Sequence, residues 1–199
     1  MKVSRCLFVK KCRNGHRLMV AIYVDDGIIV GDRKEIDQFL SDLTMEFQIT
    51  TGSLDSFLGM QIKRNKDGIF VHQEAYTKNI LSRFNMIDSN PVSTPSEEVK
   101  DSPLEKSVPY RQAVGSLLYL AMTTRPELSY AVSTVSEVLD CPKKSDWQAV
   151  KRIFKYLNGT REYGLFYKTD TKLKLDCYSD SDFENDNLSR RSRTGVLMT

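Results

Sequence analysis

Two adjacent aspartates, Asp25 and Asp26, are the residues whose types and spacing most directly suggest chemistry. An apolar run precedes them at 18–22 and another follows at 28–30, which predicts two antiparallel strands joined by a tight acidic turn. Such a hairpin holds two carboxylates at its tip, and hard oxygen donors suit Mg²⁺. Aspartate is also common in ordinary turns, because it tolerates turn geometry and bonds its own backbone. The turn alone therefore leaves a metal site and a plain hairpin as alternatives.

The bulk composition indicates a globular chain. Of the 199 residues, 40% are hydrophobic and 28% are charged, which suits one large domain or two small ones. The formal net charge of +3 permits a nucleic-acid partner without requiring one. No apolar run has the length of a membrane span and no secretory signal is evident, so we expect no membrane association and an intracellular location.

The cysteines argue against a zinc site. Cys6, Cys12, Cys141 and Cys177 are scattered, no C-x-x-C pair occurs, and the sequence has only 2 histidines. We therefore predict free thiols in a reducing compartment.

Hydrophobic patterning predicts an α+β first half. Three short antiparallel strands are expected at 3–9, 17–24 and 27–31, followed by a helix at 32–48 with Asp32 as its N-cap. Its apolar stripe consists of Ile36, Phe39, Leu40, Leu43 and Phe47. A strand at 57–62, a turn at 66–68, a strand at 69–71 and a helix at 73–84 complete this half.

The second half is predicted to be mainly helical. Residues 88–109 are rich in proline and polar residues and lack a hydrophobic period, which marks a linker and the best candidate domain boundary. Helices are expected at 110–123, from Pro126 to about residue 139, and at 145–157, the last capped by Ser145. Strands are expected at 163–168 and 173–178.

Seven segments, taken in order, resemble one protein family. The sequence is similar to the Pol polyprotein of copia-type LTR retrotransposons, and the resemblance covers nearly all of the chain. The segments that carry it are residues 23–31, 57–62, 91–95, 110–120, 124–127, 151–160 and 178–182. Each is weak alone, whereas all of them in register are hard to obtain by chance.

The resemblance implies a division of the chain. Residues 1–90 resemble the C-terminal part of a reverse-transcriptase palm, with a primer-grip-like hairpin at 57–62 and the start of the thumb. Residues 91–109 would be a linker and 110–160 a helical connection. Residues 161–199 resemble the beginning of an RNase H-like domain, truncated at residue 199.

The resemblance also implies site residues and partners. Asp25 and Asp26 match catalytic, metal-binding positions of a two-Mg²⁺ polymerase site, and Asp180 matches the first metal-binding carboxylate of RNase H. An exposed acidic loop is the alternative for Asp180. The nucleic-acid-binding positions implied by the resemblance are Tyr23, Phe57, Leu58, Gly59 and Met60. The implied partners of the parent polyprotein are an RNA or DNA template-primer and dNTPs, and nothing in the sequence specifies an oligomeric state.

The predicted polymerase site lacks one carboxylate. In the family a third aspartate lies upstream of the paired ones, yet no Asp or Glu precedes Asp25 here. We therefore expect a fragment of an RNA-directed DNA polymerase with RNase H that is inactive alone. A non-catalytic nucleic-acid-binding protein and a decayed retrotransposon remnant are the alternatives.

Overall fold

The first sheet contains the acidic hairpin. The computed structural model of the protein describes residues 6–12, 15–96, 108–169, 175–181 and 194–199. Strands β1 (Leu7–Lys11), β2 (Arg17–Tyr23) and β3 (Asp26–Val30) form an antiparallel sheet in that order. The three predicted strands are confirmed, because alternating β-formers separated by tight turns favour hairpins.

Helix α1 (Arg33–Glu46) follows this sheet directly. Asp32 is its N-cap as predicted, since its carboxylate accepts a hydrogen bond from the Lys34 N–H at 3.0 Å. None of the helix side chains is fully buried, and Phe47 lies beyond the last helical residue with 63% of its surface exposed. Phe47 therefore lies outside the helix and does not extend the half-buried part of the predicted stripe.

A second sheet is built from two hairpins and a late strand. Its order is β4 (Ser56–Phe57), β5 (Met60–Arg64), β6 (Gly68–His72) and β7 (Gly164–Lys168), with all pairs antiparallel. The single strand predicted at 57–62 was wrong. Phe57 pairs with Met60, so the chain reverses direction at Leu58 and Gly59.

The helices pack into one unit with a common core. Helices α2 (Glu74–Arg83), α3 (Tyr110–Thr123), α4 (Ser129–Ser136) and α5 (Lys144–Gly159) bury their apolar faces together. A short 3-10 helix (Pro126–Leu128) precedes α4, which ends before the predicted residue 139. The largest fully buried apolar side chains of this unit are Leu81, Leu117, Leu120, Leu128, Ile153, Phe154 and Leu157.

The cap predicted for α5 was wrong. Ser145 lies within the first turn, and Lys143 is the N-cap residue. The Asp146 carboxylate accepts a hydrogen bond from the Lys143 N–H at 2.7 Å. Asp146, the third residue of the helix, therefore satisfies the backbone N–H of the N-cap residue.

Several contacts cross the divisions predicted from the sequence. Strand β7 pairs with β6, and α2 shares its core with α3, α4 and α5. The described part of the predicted linker, residues 91–96, packs on α5. Pro91 lies against Gly159, Val92 packs against the core, and Arg152 donates to Thr94 Oγ1 at 2.9 Å. Residues 97–107 lie outside the described part of the chain.

A separate hairpin lies near the C-terminus. Strands β8 (Cys177–Ser181) and β9 (Thr194–Met198) are antiparallel. The strand predicted at 173–178 begins later, at Cys177, and extends through Asp180. All four cysteines carry free thiols, as predicted. The described helices include none whose length and apolarity would let it span a membrane. Antiparallel sheets and helices together confirm the α+β class.

Candidate functional site

The acidic turn lies at the exposed end of the first sheet. Tyr23 pairs with Asp26, so Val24 and Asp25 are the two central turn residues. Val24 has a φ of 52° and is 81% exposed. A β-branched residue in this region is strained at a cost of about 1–3 kcal/mol, so the turn conformation is imposed by its surroundings.

Asp25 and Asp26 offer the kind of donor atom that a divalent cation prefers, but two side chains are too few ligands to hold one. Both residues are exposed and offer carboxylate oxygens, which Mg²⁺ prefers. Across the described residues, no group of three acidic, histidine or cysteine side chains could hold a metal. Among the described residues, the pair therefore amounts to an incomplete ligand set.

The Phe57–Met60 turn is the second predicted contact region. Leu58 has a φ of 48° and Gly59 a φ of 73°, which gives the two-residue turn that hairpins favour. Phe57, Leu58 and Met60 are half-buried, and Gly59 is exposed.

Tyr119 contacts the Phe57–Met60 turn, and the sequence did not predict this contact. Its phenol donates a hydrogen bond to the Leu58 carbonyl from helix α3. Burial, followed by the phenols of Tyr76 and Tyr23, raises the pKa of Tyr119. The sequence offered no signal for this role, since an aromatic residue in an apolar helix is an ordinary core residue.

A buried arginine, Arg125, connects two of the segments that resemble the Pol family, residues 124–127 and 151–160. Arg125 is 1% exposed and donates to the Thr160 carbonyl at 3.0 Å, to Thr160 Oγ1 at 2.7 Å and to Glu127 at 2.6 Å. Its guanidinium also lies 5.7 Å from the Tyr156 ring centre and 5.6 Å from that of Tyr163. These segments therefore stabilise the helical unit.

Asn158 connects α5 to the chain that follows α2. Its side-chain amide donates to the Ile87 carbonyl at 3.0 Å and to the Ser89 carbonyl at 2.7 Å. Asn158 is buried, so these bonds replace water at two carbonyl groups.

Asp180 lies on the C-terminal hairpin, whereas the paired aspartates lie on the first sheet. It is exposed on β8, opposite Gly195, and lines a groove of about 750 Å³ together with Glu127 and Tyr130. With no three-residue metal cluster within the described ranges, Asp180 does not complete a site with Asp25 and Asp26. Asp182 falls outside the described residues.

Comparison with known proteins identifies relatives along nearly the whole chain. A family model described as reverse transcriptase (RNA-dependent DNA polymerase) matches residues 1–98. The retrovirus-related Pol polyprotein from transposon TNT 1-94 of Nicotiana tabacum is 37% identical over 98% of this chain and 16% of its own length. That from transposon RE2 of Arabidopsis thaliana is 36% identical over 91% of this chain and 13% of its own length.

A shorter relative is covered more fully. An uncharacterized mitochondrial protein of Arabidopsis thaliana is 32% identical over 89% of this chain and 77% of its own length. No solved structure matches the chain. The chain thus spans 13–16% of the length of the two transposon polyproteins.

Proposed function

The chain belongs to the reverse transcriptase family of Pol polyproteins from copia-type transposons, and we propose that it forms part of an RNA-directed DNA polymerase active in the parent polyprotein. One observation carries this proposal. The Asp25-Asp26 turn is the exposed tip of a paired hairpin, which presents two carboxylates to solvent. Catalytic carboxylates have to be held in a fixed position of this kind.

In this proposal, Asp25 and Asp26 hold catalytic Mg²⁺ with a third carboxylate that the described residues do not supply. The bound metal ions would lower the pKa of the primer 3′-hydroxyl and stabilise the leaving pyrophosphate. The hairpin β2–β3 contributes rigidity, because strand pairing reaches Tyr23 and Asp26 on either side of the turn. A rigid tip keeps the carboxylates in place without reorganisation during the reaction.

The template-primer and dNTPs are the proposed partners. Tyr23, together with Phe57, Leu58, Gly59 and Met60, would contact the primer end. Tyr23 is 59% exposed, so its ring can stack on a base or sugar. The exposed backbone at Gly59 allows close approach of a phosphate or sugar.

The remaining assignments are proposals of the same kind. Residues up to 90 would be palm and early thumb, and 161–199 the beginning of RNase H, with Asp180 as a metal ligand. Since α2 to α5 share one core, we propose that 110–160 belong with the thumb rather than forming a separate connection.

The polymerase assignment is tested in a chimera. The matching segment of the tobacco transposon polyprotein is replaced by this chain, and Mg²⁺-dependent primer extension on an RNA template is measured. We expect extension by the chimera and a loss of at least about 10²-fold in Asp25→Asn. Asp37→Asn is the matched control, because Asp37 is an exposed aspartate on α1 paired with Arg33. Extension that persists in Asp25→Asn would overturn the proposal.

The incomplete carboxylate set is tested with the chain alone. We expect the purified 199-residue protein to bind template-primer with an affinity that falls steeply as salt rises, and to extend no primer. Primer extension by this protein that disappears in Asp25→Asn would refute the view that a further carboxylate is needed. Absence of any binding would favour a decayed remnant.

A further inference from the structure

The turn at Leu58 and Gly59 has a conformation that its sequence does not favour. Both residues have positive φ, at 48° and 73°. Glycine adopts this region without cost, whereas leucine meets a steric clash between its Cβ and the backbone. A leucine here persists only where contacts outside the turn hold it.

Tyr119 supplies such a contact. Its phenol donates a hydrogen bond to the Leu58 carbonyl. A Cβ added at Gly59 would lie 3.0 Å from the same phenol oxygen, so the hydroxyl group lies directly against both central residues of the turn. A larger residue at position 59 would displace the phenol.

Tyr119 is itself held by the helical unit. Its neighbours Leu117 and Leu120 on α3 are fully buried, and the Tyr76 ring lies edge-on at 5.1 Å. Tyr76 in turn donates to the Ser116 carbonyl at 3.3 Å. The raised pKa of Tyr119 keeps its proton in place, so the phenol remains a donor.

We infer that Tyr119 is a positioning residue that fixes the Phe57–Met60 turn on the helical unit. This inference rests on the proposed function, in which that turn aligns the primer end. A helix of the thumb-like unit then positions the primer without touching the reacting atoms.

Hydrogen exchange of the whole chain without nucleic acid tests the structural part. Tyr119→Phe removes one hydroxyl and keeps the ring. We expect amide exchange in the peptide covering 56–61 to rise about tenfold. Tyr110→Phe is the matched control, because its buried phenol also donates to a carbonyl, that of Val135, at 2.8 Å. The control should raise exchange in α3 and α4 only.

A compensating substitution gives a second, independent readout. Asparagine tolerates positive φ better than leucine, so Leu58→Asn should lessen the dependence of the turn on Tyr119. We expect the double variant Leu58→Asn/Tyr119→Phe to exchange more slowly at 56–61 than Tyr119→Phe alone. Equal exchange in Tyr119→Phe and wild type, or faster exchange confined to the helices, would overturn the inference.

Photo-crosslinking separates this inference from the proposed function. A primer carrying 4-thiothymidine at its 3′ end is annealed to template and irradiated with each protein. We expect wild type to crosslink within 57–60, and Tyr119→Phe to crosslink about fivefold less with its Kd changed less than about twofold. If wild type neither binds nor crosslinks, the proposed function fails while the exchange data still decide the role of Tyr119. Equal crosslinking by wild type and Tyr119→Phe would refute that role.

Discussion

Arg125 should be among the most sensitive positions for stability. Truncation in Arg125→Ala removes two charge-assisted bonds to Thr160, at about 1.5 kcal/mol each. It also removes contacts with the rings of Tyr156 and Tyr163, at about 0.5 kcal/mol each. The bond to Glu127 adds little, because the Glu127 side chain is 37% exposed and can rehydrate. The expected loss in the free energy of unfolding is therefore about 4 kcal/mol.

Urea unfolding followed by tryptophan fluorescence measures this loss. Trp147 is the single tryptophan of the sequence and packs against the helical core, so it reports on the same unit. Arg125→Lys should lose most of the same stability, because one ammonium group cannot reproduce the planar fork between two rings. Arg111→Ala is the control, because its ion pair with Asp140 joins side chains that are 66% and 92% exposed. It should cost less than about 1 kcal/mol.

Two results would refute this reasoning. One is a loss below about 1 kcal/mol in Arg125→Ala, which would mean that the buried contacts contribute no more than a surface pair. The other is full stability in Arg125→Lys, which would show that charge alone, rather than the geometry of the guanidinium, holds the two segments together.

Four further substitutions are measured by urea unfolding, and their surroundings determine the direction of each effect. Asn158→Ala should cost about 2 kcal/mol, because two carbonyls lose their donor; a loss below about 0.5 kcal/mol would contradict this. Gly164→Ala should cost about 1–3 kcal/mol, since its Cβ would meet the Val71 carbonyl and lie 2.8 Å from the His72 Cβ. Gly115 lies on α3 with open space around it, so Gly115→Ala should stabilise the protein by about 0.5–1 kcal/mol. Burial, and then Lys63, lowers the pKa of His72, so the unfolded chain binds the proton more readily. The free energy of unfolding should therefore fall as the pH drops below about 6.5, because protonation of His72 favours the unfolded chain. Between about pH 7 and pH 5 this fall should be smaller in His72→Gln than in wild type.

Local signals predicted much of the fold. The acidic hairpin and the start of α1 at Asp32 depend on residues adjacent in sequence, and both were found. The hydrophobic pattern missed the turn at Leu58, although the family resemblance implied a hairpin at 57–62. Leucine is not a turn former, and the conformation of this turn is stabilised from α3 by Tyr119. The start of α5 was misplaced because Asp146, rather than Ser145, satisfies the first N–H.

Long-range pairing accounts for the remaining differences. The sequence pattern at 163–168 predicts a strand but contains nothing that selects β6 as its partner. Long-range contacts of the candidate site were likewise not predictable from sequence patterns. Asp25 and Asp26 were located by their turn, whereas the contact between Tyr119 and the Phe57–Met60 turn depends on how α3 packs.

The pairing of β6 with β7 has a consequence for the order of folding. These strands lie immediately before and after the helical unit in sequence, so pairing them closes a loop that contains α2 to α5. The loop-closure entropy is large while the intervening chain is extended, and it is smaller once the helices are compact. We therefore expect the helices to form early and the β6–β7 ladder late, with protection of the Ile69 and Tyr167 amides appearing last in refolding.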